Sequence, residues 1–288
     1  MRIMTSNIWG DYFDNPTVNR DEALYCVYCK YSPDILGFQE VTKGWYESSL
    51  FEKLSEEYYF VGTKLLNGVN YVPLAIKKGI KLIDDGFEYL KNTPDSSKAI
   101  TWAVVEQNNV VVAICNTHFW WKRTVVDEIA AFDPSEDRHC KLRMENAEQL
   151  TSLMKKLRDK YSCTVFAFGD MNATVQEGIF DIYRQNKIKN LFDIAEQRDE
   201  VCTIHGDPVA DSNGIFHGVR ATKEYILSFL RELALPCEKI IEGNLASIDH
   251  IVALGDGFEI TKYRVVEDQK ALDATDHSPV CVDIRFVL

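Results

Sequence analysis

The stretch that most constrains the fold is residues 165–172, which read Val-Phe-Ala-Phe-Gly-Asp-Met-Asn. The apolar run is short and ends in polar residues, a pattern that predicts a buried β-strand. Asp170 and Asn172 follow that strand directly, so they stand at its carboxyl end. Open α/β sheets place their functional groups at strand ends, and we therefore predict a site at this edge.

Polar side chains recur at the same kind of position along the chain. They follow or precede apolar runs at Asn7, Gln39-Glu40, Asn116-Thr117-His118, Asp249-His250 and Asp276-His277. Any one of them alone is ordinary turn or strand-end chemistry. Their shared position at the ends of predicted strands is what indicates a single pocket rim.

The remaining pattern alternates strands and helices. Apolar runs predict strands at residues 2–9, 35–40, 110–118, 163–169, 248–254, 259–267 and 279–287, and helical spacing predicts helices at 17–31, 44–57, 141–160, 178–187, 191–196 and 223–233. Between residues 58 and 112 the chain is β-rich, with hairpin signals at Asn67-Gly68, Lys78-Gly79, Asp85-Gly86 and Asn108-Asn109. This mixture predicts an α/β (α+β) fold of sheets flanked by helices, in one domain over residues 1–288.

Composition and charge exclude several classes. The 288 residues are 46% hydrophobic and 26% charged, which excludes disorder, and no apolar run is long enough to span a bilayer. A formal net charge of −12 weighs against a general nucleic-acid binder, although a local metal ion would offset that repulsion. The first residues contain no apolar signal-peptide core, so we expect a cytoplasmic protein that does not bind membranes. The sequence predicts no oligomeric state.

The ordered polar boxes resemble the endonuclease/exonuclease/phosphatase superfamily. The boxes are Asn7, Gln39-Glu40, Asn116-Thr117-His118, Gly169-Asp170-Met171-Asn172, Ser247-Ile248-Asp249-His250 and Thr275-Asp276-His277-Ser278-Pro279. The resemblance covers the chain from Asn7 to Pro279 and is nearest to poorly characterised bacterial members. It implies a DNase I-like four-layer α/β sandwich, with two mixed, mostly antiparallel sheets face to face and helices outside. It also implies a phosphoester hydrolase that uses Mg²⁺ or Mn²⁺.

The resemblance implies roles for these residues. Glu40 is expected to bind the metal, with Asn7 and Asp276 as further ligands, directly or through water. Asp170 would orient or activate the attacking water, and Asn172 would hold phosphate oxygens together with Asn7. His277, paired with Asp249, would act as a general base or as a cationic phosphate clamp, while His118 would donate to the phosphate or protonate the leaving group. The sequence leaves the division of labour between the two histidines open.

Substrate identity is the least determined property. The loop at residues 119–143 mixes both charges and carries Trp120 and Trp121, which suits a lid over a small or sugar-like substrate. Packing of this tryptophan pair within the loop is an equal alternative. His217, in the tripeptide Phe216-His217-Gly218, is either a substrate-contacting imidazole or an ordinary loop residue.

We therefore expect a phosphodiesterase or phosphatase whose partner is a small phosphorylated substrate. Two alternatives stay open at this stage. One is a DNA or RNA nuclease, which requires a continuous basic groove beside Glu40. The other is a non-catalytic binding protein that retains the fold, which requires neither a metal nor hydrolysis.

Overall fold

A computed structural model describes residues 1–11, 15–63, 69–121, 138–220, 222 and 247–287, with residues 138 and 139 given by their backbone only. The predicted turn at Asn67-Gly68 and the predicted helix at 223–233 lie outside these residues. No helix within the described ranges combines the length and the apolar character needed to cross a membrane.

Fourteen strands are described. In chain order they are β1 (Arg2–Asn7), β2 (Ile35–Gln39), β3 (Tyr58–Val61), β4 (Leu74–Lys77), β5 (Lys81–Tyr89), β6 (Ala99–Gln107), β7 (Val110–His118), β8 (Thr164–Asp170), β9 (Lys189–Asn190), β10 (Val209–Ala210), β11 (Phe216–His217), β12 (Asp249–Leu254), β13 (Phe258–Val265) and β14 (Val280–Phe286). One six-stranded sheet has the order β13-β14-β1-β2-β4-β3, and a second has the order β5-β6-β7-β8-β12-β9. Strands β10 and β11 form a separate short hairpin.

Both large sheets are mixed but mostly antiparallel. The parallel pairs are β1 with β2 in the first sheet and β7 with β8 in the second. One apolar core lies between the sheets and contains side chains of both, such as Ile35 and Phe168. Two further cores cover the outer faces, where the helices pack. The four-layer sandwich expected from the sequence is therefore confirmed.

The described helices lie outside the sheets. They are α1 (Asp21–Tyr31), α2 (Ser49–Glu57), α3 (Arg138–Tyr161), α4 (Gly178–Gln185), α5 (Leu191–Ile194) and α6 (Gln269–Ala274). Two predicted helices begin with a short 3₁₀ turn, at Thr17–Asn19 and Gly44–Glu47. At the second, the Ser48 side chain accepts a hydrogen bond from the Phe51 backbone N–H at 3.2 Å, so the α-helix begins after Ser48.

One predicted turn is wrong. Asp85 and Gly86 lie within strand β5, where they pair with Ala103 and Trp102 of β6. A Cβ atom at Gly86 would lie 2.3 Å from the Trp102 ring, so the absence of a side chain makes room for an indole. Gly86 therefore allows the Trp102 ring to pack closely against the strand, and it does not mark a turn.

The two sheets are in close contact at Gly37. A Cβ atom there would lie 2.3 Å from the Phe168 ring and 2.7 Å from the Asn116 side chain. Asn116 donates to the carbonyl of Phe38 at 2.8 Å, and Gln39 donates to the Asn116 Oδ1 atom at 2.6 Å. These buried contacts join β2 to β7 across the sandwich, directly below the strand ends that carry the predicted site.

Candidate functional site

A cavity of about 930 Å³ opens at the edge where the two sheets end. Its lining includes Glu40, Lys98, His118, Trp120, Trp121, Asp170, Asn172, Asp276 and His277, together with Tyr71, Asp95, Ser97, Ile204, His205, Asp207 and Ile248. Eight of the eleven residues singled out from the sequence are in this lining. Two of the others, Asn7 and Asp249, are buried directly beneath it.

Strand register places Asp170 at the centre of the cavity floor. In the parallel pair of β7 and β8, Asp170 lies opposite His118. In the antiparallel pair of β8 and β12, the same residue lies opposite Asp249. The turn after it is closed by the backbone N–H of Asn172, which donates to the Asp170 Oδ1 atom at 2.8 Å. One carboxylate is thus fixed between the other polar groups by backbone geometry.

Asn7 links the two carboxylates that face each other from the two sheets. Its Nδ2 atom donates to Glu40 Oε1 and to Asp170 Oδ2, each at 3.1 Å. Its Oδ1 atom accepts from the Trp9 backbone N–H at 3.0 Å. In this orientation the amide group holds the carboxylates in place, and its oxygen faces away from them. The second Glu40 oxygen accepts from the Gly10 N–H at 3.2 Å.

His277 forms a buried pair with Asp249, as expected from the sequence. The distance from His277 Nδ1 to Asp249 Oδ2 is 2.8 Å, and His277 Nε2 lies 4.0 Å from Asp170 Oδ2. Burial alone would lower the pKa of His277, but Asp249, Asp276 and Asp170 together raise that pKa well above its ordinary value. The ring is therefore a cation at neutral pH, with Nε2 turned toward the cavity floor.

The carboxyl groups of the floor differ in their acidity. Burial would raise the pKa of Asp170, but the charge and hydrogen bond of His118, with His277 and Lys98, lower it below its usual range. Burial raises the pKa of Asp276 to about 7, and the like charges of Glu40 and Asp207 add to that increase. Asp276 is also the more open of the two, with 24% of its side chain exposed. Asp170 is thus the ionised acceptor of the site, and Asp276 titrates near neutrality.

Lys98 is a site residue that sequence reasoning missed. It is only 8% exposed, and its ammonium lies 2.8 Å from Nε2 and 3.0 Å from Nδ1 of His118. Burial lowers the pKa of Lys98 to about 8, against the opposing charges of Glu40 and Asp170. The Asn172 amide also reaches His118 Nε2, at 3.1 Å. A lysine, an imidazole and an amide therefore meet at one side of the floor.

Arg20 is a second residue that the sequence did not indicate. It is buried, and its guanidinium donates to the carbonyls of Ile8, Asn15 and Ala274. Burial lowers the pKa of Arg20 to about 10, which keeps the group charged at neutral pH. Since Ile8 follows Asn7 and Ala274 precedes the Thr275-Asp276-His277 segment, Arg20 fixes the two chain segments that deliver these site residues.

The residues predicted to touch substrate fall into two groups. Trp120 and Trp121 both line the cavity, with ring centroids 6.2 Å apart, and Trp121 is 40% exposed. His217 lies elsewhere, exposed on strand β11, with Nε2 3.5 Å from Asp211 Oδ2. The predicted lid beyond Trp121, residues 122–137, lies outside the described residues.

The donor set fits a divalent cation. The ligand atoms of Glu40, His118 and Asp170 lie within 4.8 Å of one another, and those of Asp170, Asp249 and His277 do so as well. The second group is already joined by the His277–Asp249 hydrogen bond. Glu40, a member of the first group, also lies close enough to Asp276 that its like charge helps to raise the pKa of the Asp276 carboxyl group. Oxygen ligands of this kind are preferred by Mg²⁺, which would relieve that repulsion.

Comparisons with known proteins agree with this architecture. No protein-family model matches the sequence, and no curated protein matches it. Among solved structures, an endonuclease/exonuclease/phosphatase from Bacteroides vulgatus superposes with a TM-score of 0.70 at 19% identity, covering 99% of this chain and 98% of that chain. The mannosyl-6-phosphatase Bt3783 of Bacteroides thetaiotaomicron VPI-5482 gives a TM-score of 0.70 at 16% identity, covering 99% and 100% of the two chains.

A further similar structure is a truncated TDP2 from Caenorhabditis elegans. Its TM-score is 0.63 at 15% identity, with 99% of this chain and 97% of that chain covered. At identities this low, the likeness concerns the backbone and its topology. It extends over almost the full length of each of these proteins, and it matches the two facing six-stranded sheets described above. The chain therefore has the DNase I-like fold of the endonuclease/exonuclease/phosphatase proteins.

Proposed function

We propose that this protein is a divalent-metal-dependent phosphoester hydrolase that acts on a small organic phosphate. The observation that carries the proposal is the environment of Asp170. This ionised carboxylate lies between Glu40, His118 and the cationic His277, on the floor of an open cavity. Hydrolysis of a phosphoester needs an oriented water and positive groups around the phosphoryl oxygens, and both are supported by this arrangement.

The metal would be held by Glu40 with Asp276, and Asp170 is close enough to share it. When bound there, a divalent cation offsets the negative charge of the phosphoryl group and helps to orient it. Asn7 keeps the Glu40 and Asp170 carboxylates in place through its two donated hydrogen bonds. Without the Asn7 amide, the Glu40 and Asp170 carboxylates would face each other with no donor between them.

Asp170 is the group best suited to orient the attacking water. Its lowered pKa keeps it ionised, so it accepts a hydrogen bond from that water. His277 is suited to bind a phosphoryl oxygen, because its raised pKa makes Nε2 a donor while Asp249 holds Nδ1. We therefore propose the clamp role for His277 and water orientation for Asp170.

The opposite side of the floor is suited to the leaving group and the remaining phosphate oxygens. Lys98 and Asn172 present N–H donors beside His118. His118 can pass a proton to the departing alkoxide. The buried Lys98 ammonium can stabilise negative charge that develops on the leaving group. The two histidines thus act on opposite sides of Asp170.

The test is hydrolysis of p-nitrophenyl phosphate and bis-p-nitrophenyl phosphate, beside plasmid DNA and RNA, with Mg²⁺, Mn²⁺ or EDTA. Metal-dependent cleavage of a small ester, with intact nucleic acid, is the expected result. Nicked plasmid or shortened RNA would instead favour a nuclease. No cleavage together with no Mg²⁺-induced rise in the melting temperature would favour a non-catalytic protein with this fold.

A further inference from the structure

The cavity has a buried floor and an exposed mouth that differ in charge. Lys98, His118 and Asp170 on the floor are all at least 90% buried. Asp95 and Asp207, which line the same cavity, are exposed. Among the described residues of the lining, Lys98 is the one lysine or arginine. A ligand that enters therefore passes two carboxylates before its anionic group reaches a cation.

Asp95 is held in place at the mouth. Its Oδ1 atom accepts from the backbone N–H of Ser97 at 2.8 Å and from the Ser97 hydroxyl at 2.5 Å. It precedes Lys98 by three residues, and its charge acts on the Lys98 ammonium. The Asp95 carboxylate is therefore a fixed charge near the phosphate-binding side of the floor.

Asp207 also lines the cavity, on a segment that is tied to the Asp276-His277 stretch just before β14. Ile204 forms a β-bridge with His277, and the His205 backbone N–H donates to the Asp276 carbonyl at 3.0 Å. The Asp207 charge acts on the Asp276 carboxyl group. Both mouth carboxylates are thus close enough to the floor to influence its charged groups.

Uncharged surface completes the mouth. Trp121 is 40% exposed and Tyr71 is partly exposed, and both line the cavity. Aromatic rings of this kind contact sugars, bases and other neutral bodies. They offer no charge to balance a second anionic group on the substrate.

Resting on the proposed function, we propose that Asp95 and Asp207 are specificity residues that reject substrates carrying negative charge beyond the reacting phosphate. The substrate class is then a phosphate ester of a small, uncharged alcohol. A substrate with a second phosphate or a carboxylate would bring that group into the field of Asp95 and Asp207 at the mouth, where like charges repel it.

An isosteric pair of substrates tests this inference. The esters 4-carbamoylphenyl phosphate and 4-carboxyphenyl phosphate have nearly the same shape and differ by one negative charge. We expect the wild type to prefer the carbamoyl ester roughly tenfold in kcat/KM at low salt, and the preference to shrink toward one as salt is added. Phosphate release gives the rate, and thermal shift with each ester gives a binding readout independent of turnover.

The variant D95N/D207N should reduce the preference ratio to near one. Glu148→Gln is a control for the loss of a surface carboxylate away from the cavity, because Glu148 is an exposed acid on α3 outside the lining, and it should keep the wild-type ratio. A wild-type ratio near one, or a ratio unchanged in D95N/D207N, would overturn the inference. If neither ester is hydrolysed but the carbamoyl ester stabilises the protein more, the proposed hydrolase is rejected and the charge selectivity is supported. If neither ester is hydrolysed and the two esters stabilise the protein equally, both proposals are rejected.

Discussion

The Nε2 atom of His118 lies 3.3 Å from the Oδ2 atom of Asp170, on adjacent strands that run in the same direction. Because parallel strands end at the same edge, their register alone brings an imidazole and a carboxylate together. The geometry of the floor is thus a property of the sheet, and changes to single side chains should alter its chemistry without altering its backbone.

Replacing Glu40 with glutamine should abolish most metal-dependent turnover. The change removes one negative charge from the donor set and leaves the side-chain shape nearly intact, so we expect a fall of about 10²–10³-fold in kcat with Mg²⁺. The Mg²⁺-induced rise in melting temperature should also shrink. Glu47→Gln, at an exposed position in the following turn, is the control, and equal activity in the two variants would contradict the assignment.

Replacing Lys98 with methionine should separate activity from stability. The ammonium is buried and its pKa is lowered, so its removal should cost the fold little, and we expect a melting temperature close to that of the wild type. Activity should fall about 10²-fold because a cation next to the phosphate is lost. Lys98→Arg should recover part of that loss. A methionine variant with full activity would remove Lys98 from the mechanism.

Replacing Asp249 with asparagine should move the pH profile. Asp249 is the first of the groups that raise the pKa of His277, so its neutralisation should lower that pKa. If cationic His277 binds phosphate, the alkaline limb of kcat/KM should then shift to lower pH. If the pH profile of kcat/KM keeps its shape and position and only its maximum falls, Asp249 has a structural role and does not set the His277 pKa.

Metal binding should strengthen as pH rises through neutrality. The Asp276 pKa is about 7 in the fold, compared with an ordinary value of 3.8, so between these values the folded protein binds more protons than the unfolded chain. The Asp276 contribution therefore favours the metal-free fold at low pH and is lost as pH rises toward 7. Since Mg²⁺ needs the ionised carboxylate, its stabilising effect should grow between pH 6 and pH 8.

Thermal unfolding with and without Mg²⁺, at several pH values, measures this effect. Asp276→Asn should flatten the pH dependence in that interval. A Mg²⁺ effect that is the same at pH 6 and pH 8 in the wild type would exclude Asp276 from the metal site.

Replacing Gly37 with alanine should destabilise the sandwich. The added methyl group would lie 2.3 Å from the ring of Phe168, a residue of the facing sheet. Either the sheets separate or Phe168 shifts, at a cost of about 1–3 kcal/mol in the free energy of unfolding. Chemical denaturation measures this free energy of unfolding. Gly79→Ala is a useful comparison because nothing lies within 4 Å of a Cβ atom there. The φ of 99° at Gly79 means that this control tests backbone strain without a steric clash. Equal stability of wild type and G37A would show that the contact relaxes freely.

The sequence predicted the floor because strand ends carry a local signal. Asp170 and His118 each end an apolar run, and such runs are recognisable without knowing their partners. The short helix α6 was not predicted, because its six residues are too few to show a helical period.

Lys98 was missed, although its position follows from a turn that was predicted correctly. The hairpin at Asn108-Asn109 sets the register of β6 and β7, in which Ile100 lies opposite Thr117. Two residues before Ile100, Lys98 must then lie at the same edge as His118. Arg20 has no comparable signal, because its partners are backbone carbonyls from three segments that only the folded chain brings together.

The contrast between floor and mouth has a consequence for how this protein can change. His118 and Asp170 on the floor belong to the paired strands β7 and β8, whereas Asp95, Asp207 and Trp121 belong to connecting segments. If the protein is the hydrolase proposed above, changes in those segments should alter which compound is bound and leave the His118–Asp170 geometry in place. Laboratory redesign of ligand selectivity should therefore begin in the connecting segments, at residues 91–97 and 205–208.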